Sequence, residues 1–218
     1  MLFLTQIIVQ LKLLLINYMK KNIFIFFISV FMYSQDETCF IYLDAEYISD
    51  SGQDRYELVS EKIDSIMNLF SNTVLYVSNG TASSFHESNT FNKNELLFEL
   101  ESSGGLSGTD IMNLSDVKRI NDYFSVNKTI NLDQSINDKI HLYFIVSYKN
   151  LRSNRFSSSF NEKIIKPLLL TNKLYTIDDN PRANCKIHIL YDDVSSKKNE
   201  NFQRINNNIT QNYEIKYF

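Results

Sequence analysis

The sequence has little of what active sites are usually recognised by: two cysteines, three histidines and five glycines in 218 residues. It contains no Gly-X-Ser-X-Gly elbow and no phosphate loop, and no Ser-His-Asp or Cys-His arrangement can be assembled from local motifs. The commonest local signatures of hydrolases and nucleotide-binding enzymes are therefore absent. It also lacks a basic surplus, with 22 Lys and Arg against 25 Asp and Glu, net −3. No basic stripe with interleaved aromatics occurs, only the pair Lys197-Lys198 near the end, which reads as solvated surface. A polyanion would meet net repulsion, which excludes nucleic acid as a partner. No apolar run reaches the about 20 residues that a membrane-spanning helix needs, because Lys12 and Lys20-Lys21 interrupt the N-terminal ones. The length suits one domain whose core needs no disulfide staples.

What the sequence does have begins at the N-terminus. Residues 2–19 and 23–33 are almost entirely apolar, unlike the rest of the chain. Met19-Lys20-Lys21-Asn22, the eleven-residue, largely apolar stretch 23–33 and the abrupt polarity of Ser34-Gln35-Asp36-Glu37 together have the form of an export signal starting at Met19. Residues 1–35 are thus expected to be a signal or, uncleaved, an N-terminal anchor that supplies the only membrane association. The remaining residues, 36–218, are expected to form a single α/β domain that is periplasmic, secreted or on the cell surface. Without Lys12, Lys20 and Lys21 that domain carries 19 basic and 25 acidic side chains, net −6. Outside the cytoplasm thiols tend to oxidise, so whether Cys39 and Cys185 can meet becomes a question of topology.

Cys39-Phe-Ile-Tyr-Leu-Asp44 is an unbroken apolar run ending in an acid, the pattern of a strand buried on both faces of a parallel sheet. Asp54 with Glu57 makes a capping box, and Val59, Ile63, Ile66, Met67 and Phe70 recur at helical spacing, predicting a helix over 54–70. A second buried strand follows at 73–77, then a polar segment with a short edge strand around Phe85. Helices are predicted at 95–101 and from Thr109-Asp110 onward, the latter carrying Leu114, Val117, Ile120 and Phe124. Residues 140–146 form the most strand-like segment and are expected at the centre of the sheet. A helix at 163–170 limited by Pro167, a strand at 186–191, and a closing helix and edge strand complete the pattern. Helices between successive apolar strands imply a doubly wound, mainly parallel, Rossmann-like sheet with helices on both faces. Sites in such sheets gather at the C-terminal strand ends. This places Asp44, Glu46, Ser78, Asn79, Ser147, Tyr148, Asp192 and Asp193 at one edge.

The order of an apolar strand ending in Asp44, a helix beginning Asp-Arg-Tyr-Glu-Leu-Val, a second strand, a helix and Gly-Gly-Leu-Ser-Gly-Thr-Asp-Ile resembles a von Willebrand factor type A domain over residues 39–191. The resemblance implies a non-catalytic module that binds a protein or cell-surface ligand at the strand tips. In that family a divalent cation is held by an Asp-X-Ser-X-Ser motif, a threonine in a glycine-rich turn and an aspartate after the fourth strand. Asp44 matches the first ligand and Thr109 the threonine, while Glu46 and Ile48 replace the serines and Ser147-Tyr148-Lys149 stands where the last aspartate belongs. The implied metal residues are Asp44, Glu46 and Thr109, around a hard cation such as magnesium that prefers oxygen ligands. Taken singly, Asp44 and Thr109 also suit capping roles, and His141 and His188, inside strand runs, suit packing.

A resemblance to haloacid dehalogenase-like phosphatases implies an enzyme instead. Asp44 would be the nucleophile, Ser78 would hold the phosphoryl group, Lys173 or Lys186 would offset charge, and Asp192 with Asp193 would bind magnesium. Glu46 departs from the aspartate that family uses as its acid. The cysteines separate the two layouts. In the first, the strand at 140–146 lies between those that start at Cys39 and Cys185, putting them about 10 Å apart, beyond the about 7 Å a disulfide tolerates. In the second, the two strands are neighbours.

Overall fold

In a computed structural model of the chain, the described residues are 37–45, 53–79, 82–102, 114–126, 139–147, 161–175, 181–193, 196–208 and 213–217. The expected export signal or anchor lies outside them. Among the described residues no helix is long and apolar enough to cross a membrane.

The chain alternates β1 (Thr38–Asp44), α1 (Gln53–Met67), β2 (Asn72–Asn79), β3 (Ala82–Glu87), α2 (Lys93–Ser102), α3 (Leu114–Val126) and β4 (Ile140–Ser147). A π-helical turn (Asn161–Ile165) then leads into α4 (Lys166–Thr171), followed by β5 (Cys185–Asp192), α5 (Lys198–Asn208) and β6 (Tyr213–Tyr217). The strands form one sheet in the order β3-β2-β1-β4-β5-β6. All neighbours are parallel except β3, which turns back antiparallel against β2. β1 pairs on both sides, Phe40 opposite Val74 and Leu142, so the segments around 40–44 and 140–146 lie side by side and run the same way. The expected doubly wound α/β sheet is the observed one.

The two-residue period of each strand sorts its apolar side chains into two layers. Cys39, Ile41 and Leu43 pack with Leu75 and Val77 under Val59 and Ile63 of α1 and Leu96 of α2. Phe40, Tyr42, Leu142 and Phe144 face the other way, under Val117, Ile120 and Phe124 of α3, Leu168 and Leu169 of α4 and Ile205 of α5. This double burial is why the central strands read as continuous hydrophobic runs rather than alternating ones. The connection leaving β1 covers one face and that leaving β4 the other, so their C-terminal ends border the crevice where open parallel sheets place ligands.

Two local features differ from expectation, and a third expectation lies outside the described residues. α1 ends at Met67 rather than Phe70, and the Phe70 ring instead rests 4.7 Å from that of His141 and 6.3 Å from that of Tyr143. α3 is described from Leu114, leaving Thr109 and Asp110 outside the described residues. The helix before β5 opens as a widened π-turn immediately ahead of Pro167. Proline lacks an N–H and its ring crowds the carbonyl one turn back, which a wider turn relieves. The same helix ends with Lys173 at φ 53°, while Leu174 N–H donates to the Leu169 carbonyl at 2.8 Å, a left-handed cap that turns the chain back toward β5.

Candidate functional site

At the C-terminal edge, Asp44 and Ser78 are register partners at the ends of β1 and β2, and Ser147 and Asp192 are partners at the ends of β4 and β5. The edge anticipated from the strand pattern is thus assembled. Asp44 is fully buried and Ser78 nearly so. Of the three residues expected at a metal centre, Asp44 is described, while Glu46 and Thr109 lie outside the described residues. Among the described residues no three His, Cys, Asp or Glu side chains stand close enough together to hold a metal ion.

The edge contains a second buried carboxylate that sequence reasoning passed over. Asp116, in the first turn of α3, accepts hydrogen bonds from Tyr76 Oη at 2.6 Å, Ser78 Oγ at 3.0 Å and Tyr42 Oη at 3.4 Å. The three donors share a face for a simple reason: Tyr42 and Tyr76 are cross-strand partners, and Ser78 follows Tyr76 by one strand period. Tyrosine within an apolar strand needs a partner for its hydroxyl, and this pair of tyrosines was the available signal. Burial raises the Asp116 carboxyl above the ordinary aspartate range, although the three hydroxyls and Arg119 pull it down. Burial likewise pushes both tyrosines up. Arg119 Nη1 donates to Ser83 Oγ on β3 at 3.1 Å, so the start of α3 is tied to the first three strands. A carboxylate engaged by three hydroxyls works as a structural acceptor. Asp193, just past β5, is also buried and accepts from Asn201 Nδ2 of α5 at 2.8 Å.

One cluster has the composition of a hydrolase triad without its wiring. Ser84 and His86 on β3 meet Glu99 of α2: Ser84 Oγ donates to Glu99 Oε1 at 2.5 Å, and His86 Nε2 stands 2.9 Å from Glu99 Oε2 and 3.2 Å from Ser84 Oγ. Serine activation needs one imidazole nitrogen for the serine and the other for the acid. Here a single nitrogen serves both and the serine hydroxyl donates to the glutamate, so no imidazole lone pair is left to accept the serine proton.

The strand order also bears on the phosphatase layout. Asp44 and Ser78 are adjacent, but β4 separates β1 from β5, which carries Asp192. Lys186 is the second residue of β5 and so lies toward the opposite end of the parallel strands from Asp44, and Lys173 precedes the return to that same end. The segment 80–172, which that layout would set apart as a cap, contributes β3 and β4 to the sheet.

No family model matches the chain, and no curated protein matches it.

Proposed function

We propose that the chain is an exported, non-catalytic interaction module that binds a protein or cell-surface ligand at the C-terminal edge of its sheet, around Asp44. Where a cation contributes, Asp44, Glu46 and Thr109 are the residues to hold it, with magnesium the ion that their oxygens suit. The resemblance to von Willebrand factor type A domains is the source of this proposal. The observation that carries it is the placement of the fully buried Asp44 beside Ser78, at the end of β1 where the chain connections diverge. Open parallel sheets bind ligands in the crevice outside the carboxyl ends of their strands, at the point where the connections diverge.

The wiring elsewhere favours binding over catalysis. Asp116 is engaged by three hydroxyls, and the Ser84–His86–Glu99 cluster presents no activated nucleophile.

Thermal unfolding of the purified chain with and without magnesium tests the metal part. A magnesium-dependent stabilisation is expected in the natural chain and is expected to vanish in Asp44→Asn and Thr109→Ala. No shift in the natural chain, or an unchanged shift in both variants, removes the cation from the proposal. Hydrolysis of p-nitrophenyl phosphate that is lost in Asp44→Asn would replace the interaction module with a phosphatase.

A further inference from the structure

Away from that edge, β4 and β5 bring together two histidines that the proposed function does not use. His141 and His188 lie on the α1 side of the sheet with their rings 8° from parallel and centroids 5.3 Å apart, and the Tyr143 ring stacks on His188 at 4.3 Å. His141 Nδ1 is 3.1 Å from His188 Nε2, and His188 Nδ1 is 2.6 Å from Glu214 Oε2 on β6. On the other side, His141 Nε2 is 3.4 Å from Glu37 Oε2, immediately before β1, and makes no hydrogen bond although it is buried. Two carboxylates and two imidazoles thus stand in line across four neighbouring segments of chain.

The protons of this line can be counted. Glu37 is hydrogen-bonded by Lys139 and Glu214 by Lys216, and these contacts hold both carboxyls below the ordinary glutamate range, so both are ionised near neutrality. Glu214 therefore accepts from His188 Nδ1–H. A neutral His188 then offers its Nε2 lone pair, which accepts from His141 Nδ1–H. A neutral His141 is left with a bare Nε2 turned toward the Glu37 carboxylate, acceptor against acceptor. One added proton at that nitrogen satisfies every position in the line. A second would set N–H against N–H across the 3.1 Å between the rings.

We propose that Glu37, His141, His188 and Glu214 form a proton-operated clasp, in which a single proton taken up at His141 Nε2 closes the contact with Glu37. The closed clasp fastens the start of β1 to β4, β5 and β6. Besides the two glutamates, the charged groups facing the pair are Lys139 at the start of β4, Lys186 on β5 and Lys216 on β6, while Tyr143 and Cys39 face it as neutral groups. Burial, the neighbouring imidazole, Lys186 and Lys139 oppose a positive charge on His141, against the pull of Glu37, so the clasp closes below the ordinary histidine range.

With three histidines in the chain, nitrogen-resolved imidazole spectra of the full protein follow each ring separately. On acidification His141 is expected to gain its proton at Nε2 while His188 keeps its neutral tautomer. The exchange protection of the Thr38 amide, which donates to the Lys139 carbonyl at 3.0 Å, is expected to rise over the same interval once corrected for intrinsic rates. Glu37→Ala should lower the His141 midpoint by about one pH unit, the size expected for loss of one close opposite charge, and abolish the rise in Thr38 protection. Glu37→Gln, whose amide can donate to the bare nitrogen, should also lower the midpoint yet keep Thr38 protected at neutral pH. Simultaneous titration of both histidines, an unchanged His141 midpoint in both variants, or Thr38 protection that ignores the titration would each overturn the clasp.

Discussion

Cys39 and Cys185 stand on opposite faces of the sheet with β4 between their strands: Cys39 is the register partner of His141, Cys185 that of Ile140, and each belongs to a different core layer. Both thiols are free and buried. A bridge would have to pass through β4 as well as span two strand spacings, about 10 Å, where a disulfide reaches about 7 Å. The intact mass of the purified chain is therefore expected to be the same before and after reduction. Burial pushes the Cys185 thiol up to about 12 and the Cys39 thiol well above its usual range. Thiol alkylation near neutral pH should accordingly await unfolding. Rapid labelling of the native chain, or a gain of two protons on reduction, would contradict this packing.

Leu96 and Phe98 lie two residues apart on α2 but in opposite surroundings, Leu96 fully buried against the α1 layer and Phe98 71% exposed. Leu96→Ala is expected to cost about 2–5 kcal/mol of unfolding free energy through lost burial and the cavity left behind. Phe98→Ala should stay within about 0.5 kcal/mol, as exposed substitutions do. Denaturant unfolding of the two variants measures both. Equal costs would mean that α2 presents a different face to the sheet.

What the sequence made legible follows from the strength of each pattern. Residues 40–44 and 140–146 announced themselves because a strand covered on both sides has no polar alternation to blur it, whereas the edge strand around Phe85, at 82–87, lies in a polar segment with little pattern to mark its bounds. The ends of β1, β2, β4 and β5 followed from strand direction alone, and with them the placement of Asp44, Ser78, Ser147 and Asp192 at one edge. Asp116 was hidden because an acid in the first turn of a helix ordinarily serves the helix itself, and its three donors come from residues 38 to 74 positions earlier. The pairing of His141 with His188 was hidden because periodicity assigns a face but not the register between β4 and β5. The widened turn before Pro167 was only half legible, since proline signals a disturbed helix without saying how the disturbance is absorbed.

The bond from Tyr76 Oη to Asp116 Oδ1 is the shortest of the three that reach that carboxylate. Tyr76→Phe removes one donor and leaves two, and is expected to cost about 1 kcal/mol. Asp116→Ala leaves three hydroxyls without their shared acceptor, at least two of them in positions water cannot easily reach, and should cost about 3 kcal/mol or more. A loss in Asp116→Ala no greater than in Tyr76→Phe would show that the hydroxyls find other acceptors and that α3 is not anchored by this carboxylate.

The same carboxylate makes a prediction about pH whose sign is opposite to that of an ordinary ion-paired aspartate. Burial raises its pKa in the folded chain above the unfolded value, so the folded state binds the proton more tightly. Its contribution to stability is then fully present below the unfolded pKa, about 3.9, and is lost as pH rises through the folded value. Asp116→Asn has no proton to exchange there and keeps a neutral side chain of nearly the same shape. The unfolding free energy of the natural chain minus that of Asp116→Asn should therefore fall as pH is raised from about 4 toward neutrality, then level off, with the other carboxylates cancelling in the difference. A difference that grows with pH would mean that the hydroxyls of Tyr42, Tyr76 and Ser78, together with Arg119, outweigh burial and hold Asp116 as an anion.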